Sequence, residues 1–131
     1  MIFDEIQTGF GRTGEMFAMS KYGVIPDIVC LAKALGGGMP LGAFVSSGRI
    51  MECISHDPAL GHITTFGGHP VCCAAGLAAM EYIIDEGLLG SVERKGALFE
   101  TLLGGHPAVE GIRRSGLLLA VELGESRKLY R

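Results

Sequence analysis

The chain is 131 residues long, 48% apolar and 19% charged, with 21 glycines and a net charge of -3. Its acids and bases are interspersed, so no basic stripe points to nucleic acid, no cationic amphipathic face points to a membrane, and a small molecule is the expected partner. That apolar content is high for a self-supporting domain of this length, and it leads us to expect extensive burial within a piece of a larger protein.

In chain order, Met1 to Ile6 reads as a strand, and Asp4 and Glu5 keep it from resembling a signal peptide. A loop from Thr8 to Gly14 and a short helical piece from Glu15 to Tyr22 follow, closed by Gly23 and Pro26. The apolar run Asp27 to Leu31, bounded by turn residues, fits a buried strand of a parallel sheet. Beyond a loop from Gly36 to Pro40, Leu41 to Val45 reads as another strand and Gly48 to Ile54 as an amphipathic helix. Polar and glycine residues from His62 to Gly68 lead into a helix from Pro70 to Glu86, with proline in its first turn and Gly87 after its end. Its Ala74, Ala75, Gly76, Ala78 and Ala79 allow close packing. The apolar run within it, Val71 to Ile84, is too short for the ~20 residues that span a bilayer. A helix from Leu88 to Leu103 and a strand pair, Val109 to Arg114 with Leu117 to Glu122, come next, and a helix begins in Ser126 to Arg131. The change from βα alternation to a helix with two strands places a domain boundary near Gly87.

Cys30, Cys53, Cys72 and Cys73 have no C-x-x-C spacing and read as buried thiols in a reducing, cytoplasmic setting. His56, His62, His69 and His106 form no zinc pattern with them, and no metal is expected. The stretch Gly9-Phe10-Gly11-Arg12-Thr13-Gly14 matches a dinucleotide-binding fingerprint, with Asp27 as its distant acid. Carboxylates at the preceding strand end would repel a pyrophosphate, the following helix is too short for a crossover, and Asp27 precedes its strand instead of ending it. These glycines therefore read as turn formers.

Lys33 is the sole charge in the apolar and glycine run Val29 to Gly38. An ammonium in such surroundings is solvated, paired or deprotonated, and desolvation pulls a lysine below its usual ~10.4 and makes it a nucleophile. By itself it would be read as a strand-end lysine reaching back to water. Asp4, Gln7 and Thr65 also fall at strand ends or in loops leaving the sheet, where open α/β sheets bind ligands, so the four could converge on one crevice. Singly, each has a plainer role, as turn cap, loop amide or helix cap. Together, a lysine, a carboxylate and phosphate-binding donors are the parts that pyridoxal phosphate requires.

The run Phe3 to Gly14 resembles the class III aminotransferase signature, and the likeness continues through Pro26 to Val29, Leu31 to Gly38, Pro40 to Ala43 and Thr64 to Pro70. The resemblance implies an α/β fold, that of the fold-type I pyridoxal-phosphate-dependent transferases: residues 1–87 as the later part of the mostly parallel large domain, and 88–131 as the start of the small α+β C-terminal domain. It implies that Lys33 holds the cofactor aldehyde and later moves the substrate proton, that Asp4 pairs with the pyridinium nitrogen, that Ile6 packs on the ring, and that Gln7 lies near its phenolic oxygen. Thr65 would reach the cofactor phosphate of a neighbouring subunit, implying a homodimer with shared sites. Arg12 and Glu5 receive no role, and His69 stands where many relatives have asparagine.

The implied reaction is transamination from an ω-amino acid or amine, of the ornithine or acetylornithine type, to a keto acid such as 2-oxoglutarate. An aminomutase, a decarboxylating transaminase and a catalytically silent fragment are the alternatives. The main carboxylate-binding arginines, the rest of the phosphate cradle and the aromatic residue stacking on the ring are expected outside this chain, which alone is expected to be inactive.

Overall fold

The computed structural model describes residues 1–57, 59 and 61–124. Among them the elements run β1 (Ile2–Asp4), α1 (Ala18–Lys21), β2 (Ile28–Leu31), β3 (Ala43–Ser46), α2 (Gly48–Ser55), α3 (Pro70–Asp85), α4 (Val92–Gly104), β4 (Val109–Ser115) and β5 (Leu118–Leu123). Single 3-10 turns cover Lys33–Gly36 and Leu88–Ser91. The helix expected at Ser126 to Arg131 lies outside the described residues.

The first three strands form one sheet in the order β1-β2-β3, and β4 pairs with β5 in another. β1 and β2 are parallel, with Asp4 opposite Cys30, whereas β2 and β3 are antiparallel, with Leu31 opposite Ala43. Apolar content marks a strand without giving its direction, so the reversal at β3 was not readable. The consequence for the site is direct: the carboxyl ends of β1 and β2 lie side by side, and the chain leaves both there.

α3 follows expectation, with Pro70 in its first turn and its small residues used for close approach. A Cβ added at Gly76 would meet the Leu35 carbonyl oxygen at 2.5 Å, and one at Gly37 would meet the Ala75 carbonyl oxygen at 2.6 Å. Backbone therefore rests on backbone where the turn after β2 crosses α3. The expected 88–103 helix is instead a 3-10 turn followed by α4, because the segment enters through Gly87 in a left-handed conformation, φ 58°.

The glycine loop Gly9–Gly14 is a set of tight turns, as its composition suggested, with φ +89° at Gly11 and +100° at Gly14. It also has a packing role that composition did not show. The Leu117 N–H donates to the Arg12 carbonyl oxygen at 2.8 Å, and Gly116 sits so close that an added Cβ would fall 2.7 Å from the Arg12 oxygen. On its other side Gly116 abuts Gly96 of α4. Lys21 Nζ reaches across, donating to the Thr13 carbonyl oxygen at 3.2 Å and to Ser115 Oγ at 3.1 Å. Arg114 ties β4 to α4 through Glu93, 2.7 Å, and Glu100, 2.9 Å, and hydrogen bonds to Glu100 and then Glu93 push its guanidinium above the usual arginine range.

Burial is less than the composition led us to expect. The buried apolar set is Phe10, Ala18, Val29, Leu35, Cys72 and Val92, while Ile25, Ile63, Phe66, Tyr82 and Ile84 are exposed. The cysteines divide likewise. Cys72 is buried and Cys30 half-buried, but Cys53 and Cys73 are exposed, which corrects the reading of all four as buried thiols. On a helix, consecutive positions face different ways, so Cys72 and Cys73 cannot share one environment.

The hairpin-to-loop contact yields a graded prediction. Gly14→Ala, with φ +100° but nothing within 4 Å of the new Cβ, is expected to cost about 1–2 kcal/mol for its backbone alone. Gly116→Ala adds a backbone collision and is expected to cost about 3 kcal/mol or more. Urea unfolding of the two variants in the full-length protein checks the order, and equal losses would contradict it.

Candidate active site

Lys33 is the first residue of the turn leaving β2, and its surroundings differ from the oily pocket that the sequence suggested. Its side chain is exposed, because the turn lifts the chain off the sheet at that residue while burying Leu35 and Gly36 instead. Among the described residues its ammonium has no ion-pair partner. Solvation, not desolvation, is therefore its state here. Its backbone is in the left-handed region, φ +51°, which a lysine adopts at a cost of about 1–3 kcal/mol.

Lys33 shares a cleft of about 530 Å³ with Ile6, Gln7, Arg12, Lys95 and the β4–β5 turn residues Leu117 to Leu119. That volume suits a small organic ligand. The basic residues on its wall are Lys33, Arg12 and Lys95, and among the described residues no carboxylate lines it, so it favours anionic groups. Arg12 enters through the glycine loop. Lys95 comes from α4, where nothing in the sequence distinguishes it from an ordinary solvated helix lysine.

Asp4 and Thr65 stand differently. Asp4 ends β1 two residues before Ile6 without lining the cleft; its exposed carboxylate accepts a hydrogen bond from the Ile6 N–H at 3.0 Å, and among the described residues its other oxygen has no partner. Thr65 lies in an exposed loop, next to a separate cavity lined by Thr64, Gly67, Gly68, Phe44 and His62. Of the four residues expected at one crevice, two line this cleft. Lys33 and Gln7 line the cleft together with Ile6, whereas Asp4, two residues before Ile6, does not line it, and Thr65 adjoins the other cavity. Such a separation is what a role toward another subunit would require.

Sequence reasoning passed over Glu5. Strand alternation puts consecutive side chains on opposite faces, and Glu5, turned opposite to exposed Asp4, is fully buried. Met19 N–H donates to its Oε1 at 2.7 Å, and the Thr8 hydroxyl donates to its Oε2. Two adjacent acids at a strand end were the available signal.

The class III aminotransferase family model matches residues 1–130 of the chain. The chain belongs to the class III aminotransferases. It is 50% identical over 131 residues to the acetylornithine aminotransferase of Streptomyces coelicolor and 43% identical over 129 residues to that of Methanopyrus kandleri, covering 95% and 98% of this chain and 31% and 32% of those proteins. Among solved structures, the ornithine aminotransferase of Toxoplasma gondii, with PLP partially occupying its active site, superposes with a TM-score of 0.82 at 39% identity, over 94% of this chain and 30% of that one. The chain therefore spans about a third of the length of the relatives it matches, and its architecture is that of the fold-type I pyridoxal-phosphate-dependent enzymes.

The donor set fits the cofactor of the family. An exposed primary amine, without an ion-pair partner among the described residues, is available for an aldehyde, a branched aliphatic side chain and an amide line the same cleft, and two residues before Ile6 the Asp4 carboxylate accepts the Ile6 N–H through one oxygen. Among the described residues no group of three or more His, Cys, Asp or Glu is placed to hold a metal, and no helix is long and apolar enough to cross a membrane.

The strain at Lys33 is measurable apart from any chemistry. In cofactor-free full-length protein, Lys33→Ala is expected to leave stability nearly unchanged, since the side chain is exposed. Lys33→Gly is expected to be about 1 kcal/mol more stable than Lys33→Ala, because glycine takes the left-handed backbone without a Cβ penalty. Urea midpoints decide it, and a less stable glycine variant would remove the strain argument.

Proposed function

We propose that the full-length protein carrying this stretch is a pyridoxal-phosphate-dependent aminotransferase that moves the amino group of an ω-amino acid or amine to a keto acid such as 2-oxoglutarate. The observation that carries the reading is the exposed amine of Lys33, without an ion-pair partner among the described residues, on the wall of a cleft that also includes Ile6 and Gln7. The ornithine or acetylornithine type is favoured by the names of the relatives and by the basic wall of the cleft, which suits carboxylate-bearing substrates.

Pyridoxal phosphate, when bound, supplies an electrophilic aldehyde and an electron-accepting ring. Lys33 would hold it through Nζ. Once free, the same Nζ would be a base held close to the donor carbon, where proximity would let it take that carbon's proton and hand it to the cofactor within the same half-reaction. Asp4 would keep a proton on the pyridine nitrogen by charge pairing. Its orientation is set by the Ile6 N–H at 3.0 Å. Ile6 would pack on one face of the ring and exclude water there, and Gln7 would donate toward the phenolic oxygen.

Further features support the rest of the reading. Within the exposed 62–69 loop the two large apolar side chains, Ile63 and Phe66, are 70% and 78% exposed, as residues covered by a partner would be, consistent with Thr65 serving the cofactor phosphate of a second subunit in a homodimer. We assign residues 1–87 to the cofactor-binding domain and 88–131 to the start of the smaller one, with the two sheets falling on either side of Gly87. The cysteines are unpaired, which suits a reducing, cytoplasmic compartment.

The test is the full-length protein assayed with ornithine, acetylornithine and 4-aminobutyrate as donors and 2-oxoglutarate as acceptor. Lys33→Ala is expected to lower kcat by more than about 10³-fold and to remove the visible absorbance of the lysine-linked cofactor. Retention of both would overturn the assignment.

A further inference from the structure

Glu5 is a fully buried carboxylate with no cation in ion-pair reach among the described residues. Burying a carboxylate without a counter-charge is costly, so hydrogen bonds must replace its water. Both oxygens are used: Oε1 accepts the Met19 N–H at 2.7 Å at the first turn of α1, and Oε2 accepts the Thr8 hydroxyl. The backbone of the same residue is equally committed. Its N–H donates to the Cys30 carbonyl oxygen at 2.9 Å, and its carbonyl accepts the Gly9 N–H at 3.0 Å. A Cβ at Gly9 would stand only 2.9 Å from that carbonyl oxygen, so the turn closes tightly around Glu5.

This one residue thus joins the ends of β1 and β2, the start of α1 and the 5–9 turn, and the candidate cofactor contacts flank it at Asp4, Ile6 and Gln7. The link to Asp4 is specific. Within the structure the exposed Asp4 carboxylate is oriented by the Ile6 N–H, and the position of that N–H depends on the turn that Glu5 pins. A helix cap alone would need one of these bonds, and it would not need Thr8, which lies on the turn itself.

We infer that Glu5 is a positioning residue for the cofactor-facing turn, fixing through its paired acceptors the direction in which Asp4 and Gln7 are presented to pyridoxal phosphate. The inference rests on the functional reading above and names a residue that acts through its neighbours, without touching substrate or cofactor. Hydrogen-bonded partners that orient a contact residue typically alter affinity by about 10–100-fold when removed from metal sites, and a similar scale is expected here.

The experiment uses the full-length protein stripped of cofactor and titrated with pyridoxal phosphate, reading the dissociation constant from visible absorbance and the ring's orientation from its induced circular dichroism. Glu5→Ala is expected to bind at least 10-fold more weakly with an altered induced signal. Glu5→Gln, which keeps an acceptor for Met19 and a polar partner for Thr8, is expected to stay within about 3-fold of wild type. Thr8→Val removes one donor and is expected to fall between them, and it decides the matter together with Glu5→Gln should Glu5→Ala not fold. Wild-type affinity and an unchanged induced signal in folded Glu5→Ala, or in Thr8→Val, would overturn the role of Glu5. So would Glu5→Gln binding as weakly as Glu5→Ala. Wild-type protein that takes up no pyridoxal phosphate would instead remove the functional reading on which the inference stands.

Discussion

Backbone laid directly on backbone, where the turn after β2 meets α3, is the constraint from which the site follows. Gly37 beneath Ala75 and Gly76 beneath Leu35 leave no room for a methyl group at either contact. A helix rich in small residues can lie that close, and in doing so it holds the 33–36 turn in place from below. Lys33 begins that turn with a left-handed backbone, a conformation that persists only where the surrounding structure over-determines it. The amine is therefore presented by packing at some distance from itself, and its own contacts contribute little.

The other side of the cleft is built by a comparable device with different parts. Gly96, Gly116 and the Arg12–Thr13 backbone are stacked so closely that the β4–β5 turn and the glycine loop behave as one wall. Lys21 spans the same junction with a polar contact on each side. The glycine loop, which mimics a nucleotide-binding fingerprint, thus serves as a joint. Thr13 is buried within it, its hydroxyl without a partner among the described residues, at a cost of about 1–3 kcal/mol.

Much of this was legible in the chain itself. Pro70 and Gly87 bracketed α3 within a residue, because local turn chemistry sets its ends, and the runs Val109 to Arg114 and Leu117 to Glu122 read as the strand pair that β4 and β5 form. Ile6, Gln7 and Lys33, which line the cleft, lie within the motifs that the sequence singles out. Three things were hidden because they are tertiary. The direction of β3 has no periodic signature. The exposure of Lys33 is decided by where the chain leaves the sheet, not by the apolar residues around it. Arg12 and Lys95 join the cleft only because the hairpin folds back onto the loop. The burial of Glu5 was within reach, since one of two successive strand-end acids must turn inward.

The cleft gathers residues from Ile6 at one extreme of the chain to Leu119 near the other. The β1–β2 pairing joins positions 26 apart in sequence, as Ile2 opposite Ile28, while the β4–β5 hairpin closes on itself. During synthesis the lysine and its supporting turn are therefore made long before the far wall exists. Within this stretch the cleft is closed only once the hairpin has docked on the glycine loop, so its near wall is made before its far one.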